Sequence, residues 1–119
     1  MRKNNDYKEL RQGDIIYVDL NPTKGHEQRG QRPCIILTQN HPSLNYMFGV
    51  APITTNSKDF PLHVELPKEL STYGKVLLDQ HRMIDMETRG FTFKEQAPME
   101  FVKECNHLIK LLYDVWMPL

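Results

Sequence analysis

The chain has no apolar segment that approaches the roughly 20 residues of a membrane-spanning helix. Its opening segment, MRKNNDYKEL, also lacks the apolar core of a secretory signal. An excess of charge is missing too, because 15 basic side chains balance 15 acidic ones. Proteins that coat nucleic acids non-specifically rely on a large positive excess, so the balance excludes that class but not a local basic site. We expect a cytoplasmic protein with no membrane partner.

Cysteine is scarce, and the two that are present have no metal-binding or redox spacing. Cys34 and Cys105 lie among apolar neighbours, which is typical of small core residues, and a disulfide is not expected in the cytoplasm. The five histidines form no HExxH, HxH or Cys/His ligand pattern, and no G-x-S-x-G, P-loop or dinucleotide fingerprint is present. The sequence therefore predicts no metal and no cofactor.

What the chain does have is a series of short strand patterns. Residues 14–20 alternate, with Ile16, Val18 and Leu20 on one face, and further apolar runs follow at 34–39, 47–53, 62–66 and 75–80. Residues 81–86 continue as a strand or a sharp bend, and 90–96 is a weaker strand candidate. With one terminal helix, this pattern predicts a mainly β protein with a strongly curved antiparallel sheet or small barrel. We expect a single domain over residues 1–119, with its core at about 11–115.

One helix is predicted over residues 98–115. Pro98 suits a first helical position. Apolar residues recur there at spacings of three and four and predict a core-facing stripe: Phe101, Val102, Cys105, Leu108, Ile109 and Leu112. Beyond the helix, Trp116 and Met117 either pack back on the core or belong to a subunit contact.

The segment 21–33, NPTKGHEQRGQRP, is predicted to be a long loop that crowds ionisable side chains against the start of a strand. Arg32 lies where the loop enters the strand, and Pro33 holds it in extended geometry. A guanidinium fixed in this way suits bidentate contact with phosphate or carboxylate. His26 is of the one residue type that titrates near neutral pH unperturbed. Alternatively, Arg32 pairs with Glu27 and the loop only caps one end of a barrel.

Polar side chains also end two of the apolar strands. Thr54 and Thr55 follow a buried strand, where their hydroxyls either serve a site or satisfy loose backbone groups. Asp79 and Gln80 end another apolar strand. Asp79 is accordingly either a loop cap or the acid of a site.

In order and spacing, these segments resemble the MazF/PemK (Kid) toxin family over roughly residues 11–113. PTKGHEQRGQRP resembles its P-x-x-G-x-E-Q-x-G-x-R-P signature. RQGDIIYVDLNPTKG is similar to its opening strand, VAPITTNSK to its third-strand end, and LLDQHRMID to its D/E-Q-x-R-x-I-D segment. The resemblance implies a small SH3-like barrel of the CcdB/PemK type with a C-terminal α-helix.

The resemblance also implies an activity and partners. Members are sequence-specific, ribosome-independent endoribonucleases, or mRNA interferases, that need no metal and are the toxins of type II toxin–antitoxin pairs. They cut single-stranded RNA through attack by its own 2′-hydroxyl, which inhibits translation and growth. The implied assembly is a homodimer with an RNA groove at or near its interface. The implied protein partner is a cognate antitoxin with a disordered C-terminal segment, a case of coupled folding and binding.

Individual roles follow from the same resemblance. Arg32 matches the essential Arg, similar to an acid or transition-state clamp, and Thr54 matches the Thr that holds the scissile phosphate. Asp79 matches the base of the Kid branch, and His26 matches the His of its G-H-E-Q loop. That branch has an Arg where this chain has Leu77, so the implied acid–base set is incomplete. The residues expected to bind RNA or organise the loop are Glu27, Gln28, Thr55 and Gln80.

Two other classes of function are compatible with the sequence. One is a gyrase-inhibiting toxin like CcdB, which has the same fold and would use C-terminal residues such as Trp116, but which lacks the E-Q-x-G-x-R-P loop. The other is a catalytically silent RNA- or partner-binding barrel. The aromatic residues that could stack bases in such a barrel are Tyr46, Phe48, Phe60 and Tyr73.

Overall fold

A computed structural model describes residues 6–20 and 31–118. Two 3₁₀ turns, Tyr7–Glu9 and Leu78–Gln80, accompany the regular elements. In chain order these elements are β1 (Asp14–Asp19), β2 (Gln31–Ile36), β3 (Met47–Thr54), β4 (His63–Glu65), β5 (Lys75–Leu77), β6 (Arg82–Asp85), β7 (Phe91–Gln96) and α1 (Met99–Tyr113).

The described strands form one antiparallel sheet in the order β4-β5-β3-β2-β1-β7, and β6 pairs with β3. The long strand β3 is central because different parts of it pair with β2, β5 and β6. A bulge between Ile15 and Ile16 interrupts the β1–β7 register, and a bulge of this kind increases the local twist of a sheet. The predicted mainly β fold with an antiparallel sheet and a C-terminal helix is confirmed.

Two apolar clusters cover the two faces of the sheet, and the alternation of β1 separates them. Ile15 packs in the cluster that includes α1, whereas Ile16, Val18 and Leu20 pack in the other cluster. This is the division that the alternating pattern predicted. The sheet is therefore buried on both sides, which fixes the register of its strands because a slip by one residue would exchange the two faces.

Helix α1 covers one face of the sheet through the first half of the predicted stripe. Phe101, Val102 and Cys105 are buried, but Leu112 is 48% exposed, so its predicted place in the core is wrong. The prediction for Pro98 is wrong by one position, because Pro98 has an extended ψ of 141° and is the N-cap. Its carbonyl accepts the Phe101 N–H at 3.0 Å, which starts the helix.

Three predicted segments differ from the structure in their boundaries or type. The predicted loop ends earlier than expected, since Gln31 pairs with Asp19 and begins β2. The predicted strand 75–80 is extended only to Leu77, because Leu78 turns its side chain into the core in a 3₁₀ turn. For residues 81–86, the strand alternative is the right one.

The residues after α1 do not return to the core. Trp116 is 81% exposed and Met117 is 72% exposed, so the packed alternative is wrong. Cys34 and Cys105 are buried and free, as predicted, and burial raises the pKa of each thiol to about 12. No helix in the described parts of the chain is long and apolar enough to cross a bilayer.

Candidate active site

Three of the predicted site residues meet in a cleft of about 370 Å³ at one end of the sheet. Arg32 comes from β2, Thr54 from the end of β3, and Gln80 from the 3₁₀ turn after β5. The full lining is Asp19, Leu20, Arg32, Pro52, Ile53, Thr54, Leu77, Gln80 and Arg82. Residues distant in sequence are thus brought together in one cleft.

The strand register explains why Arg32 and Thr54 face each other. Cys34 lies opposite Pro52 in the β2–β3 pair. Arg32 precedes Cys34 by two positions and Thr54 follows Pro52 by two, so antiparallel pairing puts both side chains on the same face at corresponding positions. Arg32 is also opposite Val18 of β1. Its backbone is therefore fixed by the sheet, while its exposed side chain extends into the cleft.

The Thr54 hydroxyl is held by the turn that follows β3. The backbone N–H of Asn56 donates to Thr54 Oγ1 at 3.1 Å. Because a hydroxyl can accept and donate at the same time, the Oγ1–H is left to donate to a ligand in the cleft. The same side chain therefore accepts a backbone hydrogen bond and lines the cleft.

The sequence did not predict two charged members of the cleft, Arg82 and Asp19. The Arg82 guanidinium donates to the carbonyl of Leu20, and Arg89 donates to the carbonyl of Asp19 at 2.6 Å. These bonds connect the end of β1 to β6 and the turn after it. The signal for Arg82 was its period-two relation to buried Ile84, which directs both side chains to the same face of β6.

The charges that line the cleft favour an anion. Two cationic residues, Arg32 and Arg82, line the cleft with one acidic residue, Asp19. The charge of Arg82 also acts on the core beneath the cleft: burial raises the pKa of Cys34 to about 12, against the opposing effects of Arg82 and of Arg89, which does not line the cleft. A cationic cleft that also holds a hydroxyl donor suits the oxygens of a phosphodiester.

Asp79 lies beside the cleft and does not line it. It sits in the 3₁₀ turn between Leu77 and Gln80, both of which do line the cleft, and its carboxylate Oδ1 contacts His63 Nε2 at 3.0 Å. Thr55 is exposed and is likewise absent from the lining. Asp79 therefore lies at the rim of the cleft.

The remaining predicted site residues, His26, Glu27 and Gln28, lie outside the described residues. Within residues 6–20 and 31–118, no group of three or more His, Cys, Asp or Glu side chains is placed to hold a metal ion.

The fold and the cleft together define a small antiparallel β protein with an arginine-lined cleft at a sheet end, and comparison with known proteins specifies the class further. The family model described as "PemK-like, MazF-like toxin of type II toxin-antitoxin system" matches residues 11–113. The chain therefore belongs to the PemK-like, MazF-like family of type II toxins.

Individual relatives agree with the family match. The chain is 40% identical over 101 residues to the endoribonuclease toxin MazF of Escherichia coli K12, covering 84% of this chain and 90% of that one. It is 37% identical over 89 residues to the endoribonuclease toxin ChpB of the same strain, covering 68% and 74% respectively. Among solved structures, a chain of a MazE–MazF crystal structure from Deinococcus radiodurans is similar with a TM-score of 0.75 at 28% identity, covering 87% of this chain and 94% of that one.

Proposed function

We propose that this protein cleaves single-stranded RNA at a phosphodiester held in the cleft between Arg32 and Thr54. At the level of class, the chain is a MazF-like endoribonuclease toxin of a toxin–antitoxin system, since it belongs to that family and its relatives are named endoribonucleases. The observation that carries the detailed proposal is the meeting of Arg32, Thr54 and Arg82 in one cleft.

The reaction follows from the chemistry of RNA. A base removes the proton of the 2′-hydroxyl, the 2′-oxygen bonds to phosphorus, and the bond from phosphorus to the 5′-oxygen breaks. An acid then protonates the departing 5′-oxygen, which leaves a 2′,3′-cyclic phosphate and a 5′-hydroxyl. No metal is required by these steps, and DNA is inert because it lacks the nucleophile.

Cleft residues have distinct roles in this scheme. The Arg32 guanidinium binds the phosphoryl oxygens and stabilises the charge that they gain in the transition state. The Thr54 hydroxyl donates a hydrogen bond to one of these oxygens and holds the phosphate in place. Arg82 supplies a second cation near Leu77, the apolar position where the Kid branch has an Arg. Asp79 acts as the base from the rim.

The family resemblance implies roles for five further residues. His26 acts in the acid–base chemistry, Glu27 and Gln28 organise the loop, and Gln28 touches RNA. Thr55 and Gln80 contact RNA next to the cut. All of this takes place in the cytoplasm, where messenger RNA is translated.

The protein partners are inferred from the neighbours in structure. MazE–MazF crystals from Deinococcus radiodurans, and a mycobacterial endoribonuclease "in complex with its cognate antitoxin", show this fold together with an antitoxin. We infer that this chain binds an antitoxin through that partner's disordered C-terminal segment, which covers the RNA groove. We also infer a homodimer with the groove at or near the interface.

The direct test is incubation of the purified protein with a long single-stranded RNA in EDTA, with the ends mapped by primer extension. We expect discrete cuts at one short motif, 2′,3′-cyclic phosphate ends, and no cleavage where the nucleotide 5′ of the cut is 2′-deoxy. Intact RNA would contradict the proposal. Binding without cleavage would then indicate a silent RNA-binding barrel, and inhibition of gyrase supercoiling would indicate a CcdB-like toxin.

A further inference from the structure

Outside the cleft, a chain of three hydrogen-bonded side chains connects the β3–β4 loop to the rim. His63 Nδ1 contacts the Ser57 hydroxyl oxygen at 2.6 Å, and His63 Nε2 contacts Asp79 Oδ1 at 3.0 Å. The sequence predicted no individual role for Ser57, which lies in the segment VAPITTNSK, or for His63. The three residues come from different segments of the chain, so only the folded structure brings them together.

The sheet register places these three hydrogen-bonded side chains on the same side of the molecule as the cleft. His63 of β4 lies opposite Leu77 of β5, and Leu77 lines the cleft. Opposed residues of antiparallel strands project to the same face, and neighbouring strands are about 4.8 Å apart. His63 therefore stands one strand beyond the cleft wall that Leu77 forms.

The imidazole ring is fixed on several sides. The Ser57 hydroxyl lies against Nδ1, and the Phe60 ring packs edge-to-face with a centroid separation of 4.9 Å. The His63 side chain is 16% exposed, whereas that of Asp79 is 37% exposed. The histidine is thus the anchored member of the pair, and the carboxylate is the member that is more exposed to solvent.

We propose that His63 is a positioning residue that holds the Asp79 carboxylate for RNA cleavage, with Ser57 fixing the ring behind it. Nε2–H donates to Asp79 Oδ1, which turns the other carboxylate oxygen towards the 2′-hydroxyl of an RNA bound across Leu77. The inference rests on the proposed function, because it concerns the base of that reaction.

A misplaced catalytic group can cost about 100-fold in rate. We therefore expect His63→Ala to lower kcat by about 10- to 100-fold with a KM change of less than about 3-fold, since a transition-state interaction is lost and ground-state binding is kept. His63→Gln, whose amide N–H can reach Asp79 in place of Nε2–H, should recover most of the rate. Ser57→Ala should show a smaller loss in kcat.

A double-mutant cycle shows whether His63 acts through Asp79. If it does, the double variant His63→Ala/Asp79→Asn should be no slower than Asp79→Asn alone. Additive losses would overturn the proposal, and so would a His63→Ala variant as fast as the wild type. His107→Ala, at an exposed position on α1, is the matched control and should cut at the wild-type rate.

Circular dichroism and RNA-binding assays of each variant separate a folding defect from a positioning defect. If His63→Ala does not fold, the folded His63→Gln variant decides: retained cleavage supports the inference, and a loss equal to that of Asp79→Asn opposes it. A wild-type protein that cuts no RNA would refute the proposed function and this inference together. A wild type that cuts RNA beside an unimpaired His63→Ala variant would refute the inference alone.

Discussion

Glu95 shows how a single carboxylate can fix a turn in this fold. It accepts hydrogen bonds from the backbone and hydroxyl of Ser71, at 3.1 and 2.8 Å, and from those of Thr72, at 2.7 and 2.6 Å. Partial burial alone would raise the pKa of Glu95, but these four hydrogen bonds outweigh it and lower the pKa to about 2. The ionised side chain thereby connects β7 to the turn that precedes β5.

The pH dependence of stability follows from the direction of that shift. The pKa of Glu95 is lower in the folded state than its ordinary 4.5, so its stabilisation is present above about pH 4.5 and is lost as the pH falls towards 2. After a discount for solvent screening, we expect Glu95→Gln to lower the free energy of unfolding by about 1 kcal/mol at pH 7. In urea unfolding, this difference should vanish near pH 2. The exposed control Glu69→Gln should show no difference at any pH, and a pH-independent effect of Glu95→Gln would contradict the account.

The residue scale also shows what the sequence could and could not predict about the site. Arg32, Thr54 and Gln80 could be predicted because each is adjacent to a recognisable strand end in an ordered motif. His63 could not, since its partners Ser57 and Asp79 depend on the turn after β3 and on the 3₁₀ turn after β5. A hydrogen bond between segments 16 residues apart leaves no periodic signal in either one.

At the scale of elements, a glycine precedes β5 at a point where the backbone passes close to the cleft residue Thr54. Gly74 has φ +123°, and a Cβ added there would lie 2.5 Å from the Thr54 carbonyl oxygen. Only a residue without a side chain can take this conformation so close to the end of β3. The close approach of Gly74 to Thr54 thus helps to set the geometry of the cleft.

We expect Gly74→Ala to destabilise the protein by about 1–3 kcal/mol, the range for strained backbone conformations. RNA cleavage should fall as well, because the clash displaces Thr54. Denaturant midpoints and cleavage rates of the same samples provide the measurement. The control Gly90→Ala, at a glycine without positive φ, should leave both quantities unchanged, and wild-type stability in Gly74→Ala would contradict the steric argument.

Elements were easier to predict than their ends. Alternation and helical spacing gave the strands and α1, because a sheet buried on both faces and a helix over one face need those periods. The end of β5 could not be read from the apolar run 75–80. Within it, Leu78 is buried at the start of a 3₁₀ turn, and its N–H donates to the Leu62 carbonyl at 2.9 Å. An apolar residue predicts burial and not the backbone conformation that achieves it.

At the scale of the whole molecule, we propose that the exposed apolar side chains near the C-terminus of the chain form the subunit contact of the proposed homodimer. Leu112, Tyr113 and Trp116 are 48%, 68% and 81% exposed. Tyr113 also borders a mostly apolar groove of about 580 Å³ between α1 and the β3–β6 edge. Exposed apolar surface of this kind can mark an interaction site, and the proposed homodimer would cover it.

Light scattering coupled to size exclusion should therefore give twice the 14.0 kDa mass of one chain. Leu112→Glu should reduce it to the mass of one chain, because the charge would be buried unpaired at the contact. Thr92→Glu adds the same charge at an exposed position on β7 and should leave the dimer intact. A monomeric wild type, or a Leu112→Glu variant that stays dimeric, would show that this surface does not form the contact.

The cleft as the place of RNA cleavage is tested most directly by Arg32→Ala in the EDTA assay. Loss of a preorganised donor to the transition state costs about 3 kcal/mol, so we expect cleavage to slow by about 100- to 1,000-fold while the fold and the RNA motif that is cut stay the same. Arg11→Ala, which removes an exposed arginine away from the cleft, should cut at the wild-type rate. An Arg32→Ala enzyme within about 3-fold of the wild-type rate would contradict the account, because the phosphate would then be bound and cut without the cation that defines the cleft.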